Sequence, residues 1–176
     1  MKILITGVNG LLGSELFKLY KSSENIIIPT SRNIEGNATI KLDITNQKKV
    51  YDVFNEFRPD VVINTAAIAD VDLCETEKDL CWKTNVTSIN HLVEACKDFG
   101  IHLIHISTDY IFDGKNGPYI EKDKANPISY YGKSKLEGEK ILLKSSIDYT
   151  IIRTILVYGD HIKLNIVSFV IKSLKN

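Results

Sequence analysis

Ile3-Leu-Ile-Thr-Gly7-Val-Asn-Gly10-Leu-Leu-Gly13 is the stretch that decides the fold. An apolar run typical of a strand, Ile3–Thr6, passes through glycines into an amphipathic stretch, about Leu11–Lys21, that predicts a helix. Glycines at this position allow a tight turn and let a phosphate approach the backbone, and the amino end of the helix offers free N–H groups to it. The spacing G-x-x-G-x-x-G differs from the dinucleotide fingerprint G-x-G-x-x-G, and the alternative is a turn without a ligand. The strand–turn–helix context favours dinucleotide binding.

Apolar strand-like runs and helical stretches alternate along the rest of the chain. Further strands are predicted at Asn25–Pro29, Thr39–Leu42, Val61–Asn64, Ile101–Ile106 and Tyr149–Arg153. Further helices are predicted after a cap at Asp43-Ile-Thr45, over Cys74–Phe99 with a break near Trp82–Asn85, from about Tyr131, and over Asn165–Leu174. Strands separated by helices predict right-handed crossovers and a parallel sheet. The fold class is therefore α/β, a doubly wound Rossmann-type domain over residues 1–176, with helices on both faces.

The composition is that of an ordinary globular domain. The chain has 176 residues, 44% hydrophobic and 25% charged, and 22 basic side chains balance 22 acidic ones. This balance gives no broad basic surface, so we expect no nucleic-acid partner. No apolar run is long enough for a membrane span. The three cysteines form no metal-ligand spacing, so we expect no metal and a reduced, cytoplasmic protein.

The end of the second strand bears on the choice of cofactor. A site for NAD normally carries Asp or Glu there, on the ribose 2′-hydroxyl. This chain has Ser31 and Arg32 instead, with no acid until Glu35. Ser31 and Arg32 could hold a 2′-phosphate, the arginine through paired N–H donors. NADPH is favoured and NADH stays open, since Arg32 could equally be a solvated loop cation.

The residues at the ends of two further strands can each be interpreted in two ways, as cofactor contacts or as structural residues. Asp43 and Ile44 could meet an adenine edge, or Asp43 or Thr45 could simply cap the next helix. Asn64-Thr-Ala-Ala67 places small side chains where a cofactor would pass close to the backbone. The same small residues could instead serve core packing.

Tyr131 and Lys135 are the candidate chemical groups. Their spacing of four places both on one face of the predicted helix, where an ammonium would lower the pKa of the phenol. Such a pair can give a proton to a carbonyl oxygen, although the spacing also arises by chance. Ser107-Thr108 at the end of the fifth strand offers a hydroxyl to the same carbonyl, or a turn cap.

These motifs occur together and in order, and they resemble a known family. The glycine loop is followed by Asn64-Thr-Ala-Ala67, Ser107-Thr-Asp-Tyr-Ile-Phe-Asp-Gly114, Tyr131-Gly-Lys-Ser-Lys135-Leu-Glu-Gly-Glu139 and Arg153-Thr-Ile-Leu-Val-Tyr-Gly159. Together they resemble the extended short-chain dehydrogenase/reductases, and more closely the dTDP-4-dehydrorhamnose reductases. The Ser-Thr-Asp-Tyr-x-Phe-Asp-Gly block is the most specific part.

The resemblance implies NADPH-dependent reduction of the 4-keto group of a dTDP-6-deoxy-hexulose. Tyr131 would donate the proton, Lys135 would lower the tyrosine pKa and bind the nicotinamide ribose, and Thr108 would orient the carbonyl. The implied substrate contacts are Thr108, Asp109 and Tyr110. The implied cofactor contacts are Gly7, Asn9, Gly10, Leu11, Leu12, Gly13, Ser31, Arg32, Asp43, Ile44, Ala66, Ala67, Ile68, Tyr131 and Lys135. The implied partner is the dTDP-sugar, and a homo-oligomer is open.

Two departures from the family pattern are visible. Family members usually carry Trp where this chain has Leu156. They also continue well past this length into a lobe that holds the sugar nucleotide, so we expect that lobe to be mostly absent here, as in a truncated copy. A regulatory subunit resembling that of methionine adenosyltransferase is an alternative function, as is 4-epimerisation or 4,6-dehydration of a sugar nucleotide.

Overall fold

The computed structural model describes residues 1–159 and 165–174 and contains a six-stranded parallel sheet in the order β3-β2-β1-β4-β5-β6. The strands are β1 Lys2–Thr6, β2 Ile26–Ser31, β3 Ile40–Lys41, β4 Val61–Asn64, β5 His102–Thr108 and β6 Tyr149–Thr154. The order reverses direction between β1 and β4, which begins the second half of the sheet. A ligand crevice is expected at this switch point, outside the carboxyl ends of the strands.

Helices connect all consecutive strands except β2 and β3, and they cover both faces of the sheet. Their bounds are α1 Leu11–Lys21, α2 Gln47–Phe57, α3 Val71–Thr76, α4 Lys78–Trp82, α5 Ser88–Phe99, α6 Tyr130–Lys144 and α7 Ile166–Ser173. A short 3₁₀ turn, Asp109–Ile111, follows β5 directly. The predicted doubly wound fold is confirmed. No helix within the described ranges is long and apolar enough to cross a membrane.

The core lies in two layers, one on each face of the sheet. On one face Leu4 and Leu103 pack with Phe54 of α2, Leu92 of α5 and Leu142 of α6, all fully buried. On the other face Ile3, Ile5, Val8 and Ile63 pack against the apolar side of α1. Each large apolar side chain removed from water stabilises the fold by about 1.5–3 kcal/mol. The sheet that carries the site region is therefore packed against helices on both of its faces.

The glycine loop is tight enough to exclude side chains. Gly7 has a φ of +65°, and a Cβ there would lie 2.9 Å from the backbone of Ala66. A Cβ on Gly13 would lie 2.5 Å from the Gly7 carbonyl oxygen and 2.8 Å from Thr65 Oγ1. The loop thus brings α1 against β1 and β4 at close range, which leaves backbone exposed to a ligand above it.

The predicted break near Trp82–Asn85 is a single π-helical turn, Lys83–Thr87, between α4 and α5. The turn pushes backbone outward toward α6, where Gly138 has no side chain: a Cβ there would lie 2.8 Å from the Asn85 carbonyl oxygen. π-turns of this kind are frequent at functional sites. The turn therefore fixes how close α6 comes to the sheet.

Several predicted boundaries move in the structure. β2 runs on past Pro29 to Ser31 because Thr30 and Ser31 pair with β3, and β5 runs on to Thr108 because it pairs with β6. The predicted cap at Asp43-Ile-Thr45 is wrong, since Asn46 caps α2 by accepting from the Lys49 N–H at 3.0 Å. Partner strands, which local sequence does not reveal, set these ends.

Candidate functional site

A cleft at the carboxyl ends of β1, β2, β3 and β4 is lined by much of the predicted cofactor set. We call it the glycine-loop cleft. Its lining includes Gly7, Asn9, Gly10, Ser31, Arg32, Asp43, Ile44, Ala66, Ala67 and Ile68. All of these were predicted from the sequence as cofactor contacts, and the fold brings them together from four different strand ends.

Orphaned donors in the glycine-loop cleft indicate a polar ligand. Asn9 Nδ2 is buried without a hydrogen-bond partner among the described residues, while its Oδ1 accepts from the Asn37 N–H at 3.0 Å. Thr84 Oγ1 is likewise buried and unpaired in the part of the chain that the structure describes, and Thr84 is 8% exposed. Buried polar groups are nearly always paired, so each suits a ligand atom in the cleft. With the bare backbone of the glycine loop, they fit a phosphate-bearing dinucleotide.

The far end of the glycine-loop cleft carries charges of both signs. Arg32 lines it and is exposed, and within residues 1–159 and 165–174 its guanidinium makes no ion pair or hydrogen bond. Glu35 also lines this end. An arginine free to turn can take a phosphate through paired donors, whereas a glutamate suits a ribose hydroxyl. Both nicotinamide cofactors therefore have a partner at this end.

Asp43 takes part in a local turn and still borders the glycine-loop cleft. Its Oδ1 accepts from the Thr45 N–H at 2.9 Å and from the Thr45 hydroxyl at 2.8 Å. This Asx turn occupies one carboxylate oxygen and orients the side chain. Among the residues that the structure describes, the other carboxylate oxygen has no hydrogen-bond partner, so Asp43 can form this turn and still contact a ligand.

A second cleft, the tyrosine cleft, adjoins the first and shares Gly10, Thr65 and Ala67 with it. It is lined by Leu11, Leu12, Gly13, Ile106, Thr108, Asp109, Tyr110, Tyr131, Leu156 and other residues. The two clefts meet at these three shared residues, and together they extend from Arg32 past the start of α1 to Tyr131, a path that we call the groove. A long ligand lying in this groove would pass over the glycine loop midway.

Tyr131 stands at the start of α6, where the sequence predicted it. Ser129 caps the helix by accepting from the Gly132 N–H at 3.1 Å. A Cβ on Gly132 would overlap the carbonyl oxygen of Tyr110, so α6 packs tightly against the 3₁₀ turn. The Tyr110 and Tyr131 rings meet edge to face, with centroids 5.7 Å apart. The phenol is thereby held at the floor of the tyrosine cleft.

The electrostatics of Tyr131 differ from the prediction. Burial raises the pKa of the phenol above its ordinary value, and a hydrogen bond with Thr108 acts in the opposite direction. The predicted lowering by Lys135 is not among these causes. Lys135 Nζ instead donates to the Ile106 carbonyl oxygen at 2.7 Å and lies 3.3 Å from His105 Nε2. The amine points toward β5 because that strand supplies its nearest acceptors.

Lys135 is the predicted cofactor contact that does not line either cleft. It is 2% exposed, and burial lowers the pKa of its amine to about 8, partly offset by Glu139 and Cys81. His105 is 1% exposed, and burial together with Lys135 lowers its pKa well below the usual value. The structure places His105 against the candidate lysine.

The two hydroxyls at the end of β5 point to different places. Thr108 faces the tyrosine cleft, with its Oγ1 accepting from the Tyr110 N–H at 3.2 Å. Ser107 donates instead to the buried carboxylate of Glu139, which also pairs with Arg153 at 3.0 and 2.7 Å. The Thr108 hydroxyl also donates to Asp109 Oδ1 at 3.3 Å, and its role toward a substrate stays a prediction.

Lys83, Thr84 and His105 belong to the site region but were not predicted from the sequence as site residues. Thr84 and Lys83 line the glycine-loop cleft because the π-turn presents them there. His105 lies on the α6 face of β5, and the alternation of buried positions along that strand could have indicated it. Within the described ranges no group of three or more His, Cys, Asp or Glu side chains is placed to hold a metal ion.

Comparison with protein families gives a match over residues 1–176 to the model described as RmlD substrate binding domain. A dTDP-4-dehydrorhamnose reductase of Aggregatibacter actinomycetemcomitans is 38% identical over 162 residues, which are 91% of this chain and 53% of that protein. Methionine adenosyltransferase 2 subunit beta of Rattus norvegicus is 32% identical over 163 residues, which are 93% of this chain and 49% of that protein. The chain thus spans about half the length of these curated relatives.

Among solved structures, a dTDP-4-dehydrorhamnose reductase (rfbD) from Bacillus anthracis in complex with NADP matches with a TM-score of 0.91. The two chains are 35% identical, and the match covers 99% of this chain and 59% of the other. The backbone architecture described above is therefore shared with part of a similar protein that was solved in complex with NADP.

Proposed function

This chain belongs to the RmlD substrate binding domain family, and from that premise we propose that it is the cofactor-binding, proton-donating part of an NADPH-dependent sugar-nucleotide ketoreductase. The proposed substrate is a dTDP-6-deoxy-hexulose whose 4-keto group is reduced, as in the dTDP-4-dehydrorhamnose reductases. One observation carries the proposal: two adjoining clefts lead from the glycine loop, where Gly7 and Gly13 leave no room for a Cβ, to Tyr131 and Thr108.

The proposed cofactor sites follow the groove. NADPH supplies a hydride when it is bound. The glycine loop and the start of α1 would take its phosphates, because N–H groups and the positive end of the helix dipole lie there. Asn9 Nδ2 and Thr84 Oγ1 would gain the partners that they lack. Ser31 and Arg32 would hold a 2′-phosphate at the far end, and NADH would use Glu35 there instead.

Tyr131 is the proposed proton donor. Burial raises the pKa of its phenol, so the hydroxyl keeps its proton at neutral pH until a negative charge develops on a carbonyl oxygen beside it. The Thr108 hydroxyl can hold that oxygen and the phenol in line. A positioned acid of this kind contributes roughly 10²–10⁴-fold to the rate. Lys135, four residues on, is proposed to reach the nicotinamide ribose and to supply a charge near the phenol.

The sugar-nucleotide side of the tyrosine cleft is open. Tyr110 is 50% exposed and Leu156 is 62% exposed, although both line this cleft. We infer that a further body of protein covers these side chains when the sugar binds. In the similar dTDP-4-dehydrorhamnose reductases, about half of the protein lies outside the matched region.

The test is stopped-flow oxidation of NADPH by the full-length gene product with a dTDP-4-keto-6-deoxy-L-sugar. We expect turnover, and we expect Tyr131→Phe to lower kcat by about 10²–10⁴-fold with the NADPH dissociation constant little changed. Tyr130→Phe is the matched control, since Tyr130 lies next to it in α6 and lines neither cleft. No turnover, or equal rates for Tyr131→Phe and wild type, would refute the proposal.

A second candidate is a nucleotide-binding regulatory subunit, favoured by the 32% identity with the methionine adenosyltransferase subunit. It predicts NADPH binding without oxidation and a stable complex with a methionine adenosyltransferase catalytic subunit, measured by size-exclusion chromatography. Epimerisation or dehydration of a sugar nucleotide would use the same groove. Analysis of the sugar product distinguishes these reactions from reduction.

A further inference from the structure

A line of buried polar side chains crosses the middle of the sheet and ends at Lys135. Thr6 Oγ1 donates to Asn64 Oδ1 at 2.5 Å, and Asn64 Nδ2 lies 3.1 Å from His105 Nδ1. His105 Nε2 lies 3.3 Å from Lys135 Nζ. The three strand residues stand side by side, because β1 pairs Thr6 with Asn64 and β4 pairs Asn64 with His105. All four residues are at most 2% exposed, so their donors and acceptors must match one another.

The imidazole sits between an amide and an amine, and its proton can face only one of them. His105 is neutral, since burial and Lys135 keep its pKa well below the usual value. A neutral imidazole has one N–H donor and one acceptor nitrogen. Asn64 donates its Nδ2 to Nδ1, which places the ring proton on Nε2, facing Lys135. An N–H there can donate to an unprotonated amine and not to an ammonium.

The hydrogen bonds along this line of side chains can also all point in the opposite direction. A Lys135 ammonium needs an acceptor at Nε2, which moves the ring proton to Nδ1. Nδ1–H then needs the oxygen of Asn64, so the amide turns over and offers its nitrogen to Thr6. The Thr6 hydroxyl closes the line in both cases, because a hydroxyl can donate or accept. Asn64, His105 and Lys135 therefore stay paired in either direction, and in the reversed one Thr6 Oγ1 accepts from the Asn64 amide as well as from the Ala66 N–H.

We propose that His105 is a positioning residue for Lys135, and that its tautomer reverses with the charge of the Lys135 amine. In both states it holds the amine beside the Ile106 carbonyl oxygen. The proposal deepens the proposed function and rests on it only in giving Lys135 its role toward the nicotinamide ribose.

Other charged groups near Lys135 come from the elements packed around it. Glu139, on the same helix, and Cys81 of α4 both act to raise the pKa of Lys135 against the effect of burial. Glu139 is itself paired with Arg153 of β6. For His105, Lys135 is the charged neighbour that shifts its pKa. The tautomer of the His105 imidazole therefore indicates whether the Lys135 amine is charged.

The direct test is ¹⁵N NMR of the His105 ring and the Lys135 amine in this chain, titrated through the Lys135 midpoint at about pH 8. We expect the ring proton on Nδ1 below the midpoint and on Nε2 above it, with no imidazolium. In Lys135→Met the tautomer should not change over the same range. A tautomer that stays fixed while Lys135 titrates, or an imidazolium signal, would overturn the proposal.

A matched pair of variants tests the positioning role. In His105→Gln the new side-chain amide can occupy the position of Nε2. In His105→Asn the amide reaches only the position of Nδ1. We expect His105→Asn to raise the NADPH dissociation constant about tenfold, the effect of losing a hydrogen bond to a charged group. His105→Gln should stay within about threefold of wild type. Equal effects of Asn and Gln would contradict the proposal.

His102→Gln is the control, because His102 lies on the same strand, bonds Thr150 at 2.9 Å and is remote from Lys135. It should leave the dissociation constant unchanged. If the wild-type chain bound no NADPH, the proposed function would be wrong. The NMR titration would still test whether the His105 tautomer follows the charge of the Lys135 amine. If His105→Asn failed to fold, that titration would decide it as well.

Discussion

At the residue scale, Arg32 is the side chain that decides between the two nicotinamide cofactors. It lines the far end of the glycine-loop cleft beside Glu35. An arginine that meets a phosphate through paired charged hydrogen bonds contributes more than one that meets a hydroxyl. Its substitution should therefore affect the two cofactors unequally.

We predict that Arg32→Ala raises the dissociation constant of NADPH about tenfold or more and leaves that of NADH within about twofold. Fluorescence titration of the bound nicotinamide measures both. Glu35→Ala is the matched variant and should change NADH binding alone or improve NADPH binding. Equal losses for both cofactors in Arg32→Ala would contradict the assignment of a 2′-phosphate to this end.

Lys135 illustrates how a site residue lowers the stability of the fold. Its pKa falls from 10.5 to about 8, because burial disfavours the ammonium. The unfolded chain then binds more protons between these two values, so the free energy of unfolding rises with pH through this window. Below about pH 8 the penalty is fully present, and above about pH 10.5 it vanishes.

We predict that Lys135→Met raises the free energy of unfolding by roughly 3 kcal/mol at pH 7, and by little above pH 10.5. Urea denaturation at several pH values gives the difference. Lys133→Met, on the exposed side of α6, should change stability by less than about 0.5 kcal/mol at any pH. A Lys135→Met protein less stable than wild type at pH 7 would contradict the account.

At the element scale, the Glu139–Arg153 pair ties α6 to β6 and to the loop after β5. Glu139 is 0% exposed and accepts from Ser107 and Arg153. Arg153 also donates to the Glu121 carbonyl oxygen at 3.0 Å and lies over the Phe112 ring. The pair therefore holds Tyr131, through α6, at a fixed place above the sheet.

We predict that Arg153→Met destabilises the fold by roughly 3–5 kcal/mol, because it leaves a buried carboxylate without its partner. Adding Glu139→Gln to it should restore part of this loss, since the amide carries no charge. Chemical denaturation of the two single variants and the double variant gives the coupling energy. Additive effects would show that the pair does not act as a unit.

The elements also show which parts of the site local sequence predicts. The glycine loop, α1 and the Tyr131 helix were predicted correctly, because turn chemistry and helical spacing are local. The direction of the Lys135 amine was not predicted, because Ile106 and His105 lie about 30 residues away and α6 had to be placed first. Thr84 lines the glycine-loop cleft because of the π-turn, and no sequence pattern predicts such a turn.

At the scale of the whole molecule, the fold follows from the alternation of strands and helices. Right-handed crossovers leave few strand orders for such a chain, and the observed order brings the ends of β1, β2, β4 and β5 to one groove. The exact strand ends depended on pairing across the sheet. The chain thus contains both ends of the proposed cofactor site, while its tyrosine cleft is open on the sugar side.

The central claim is that one dinucleotide spans the groove from the glycine loop to Tyr131. Titration of ¹⁵N-labelled chain with NADPH, followed by amide chemical shifts, tests both ends at once. We predict that the amides of Gly10 and Gly13 and those around Thr108 and Tyr131 shift together, with one dissociation constant. No shifts at saturating NADPH or NADH, or shifts confined to the glycine loop, would contradict the account.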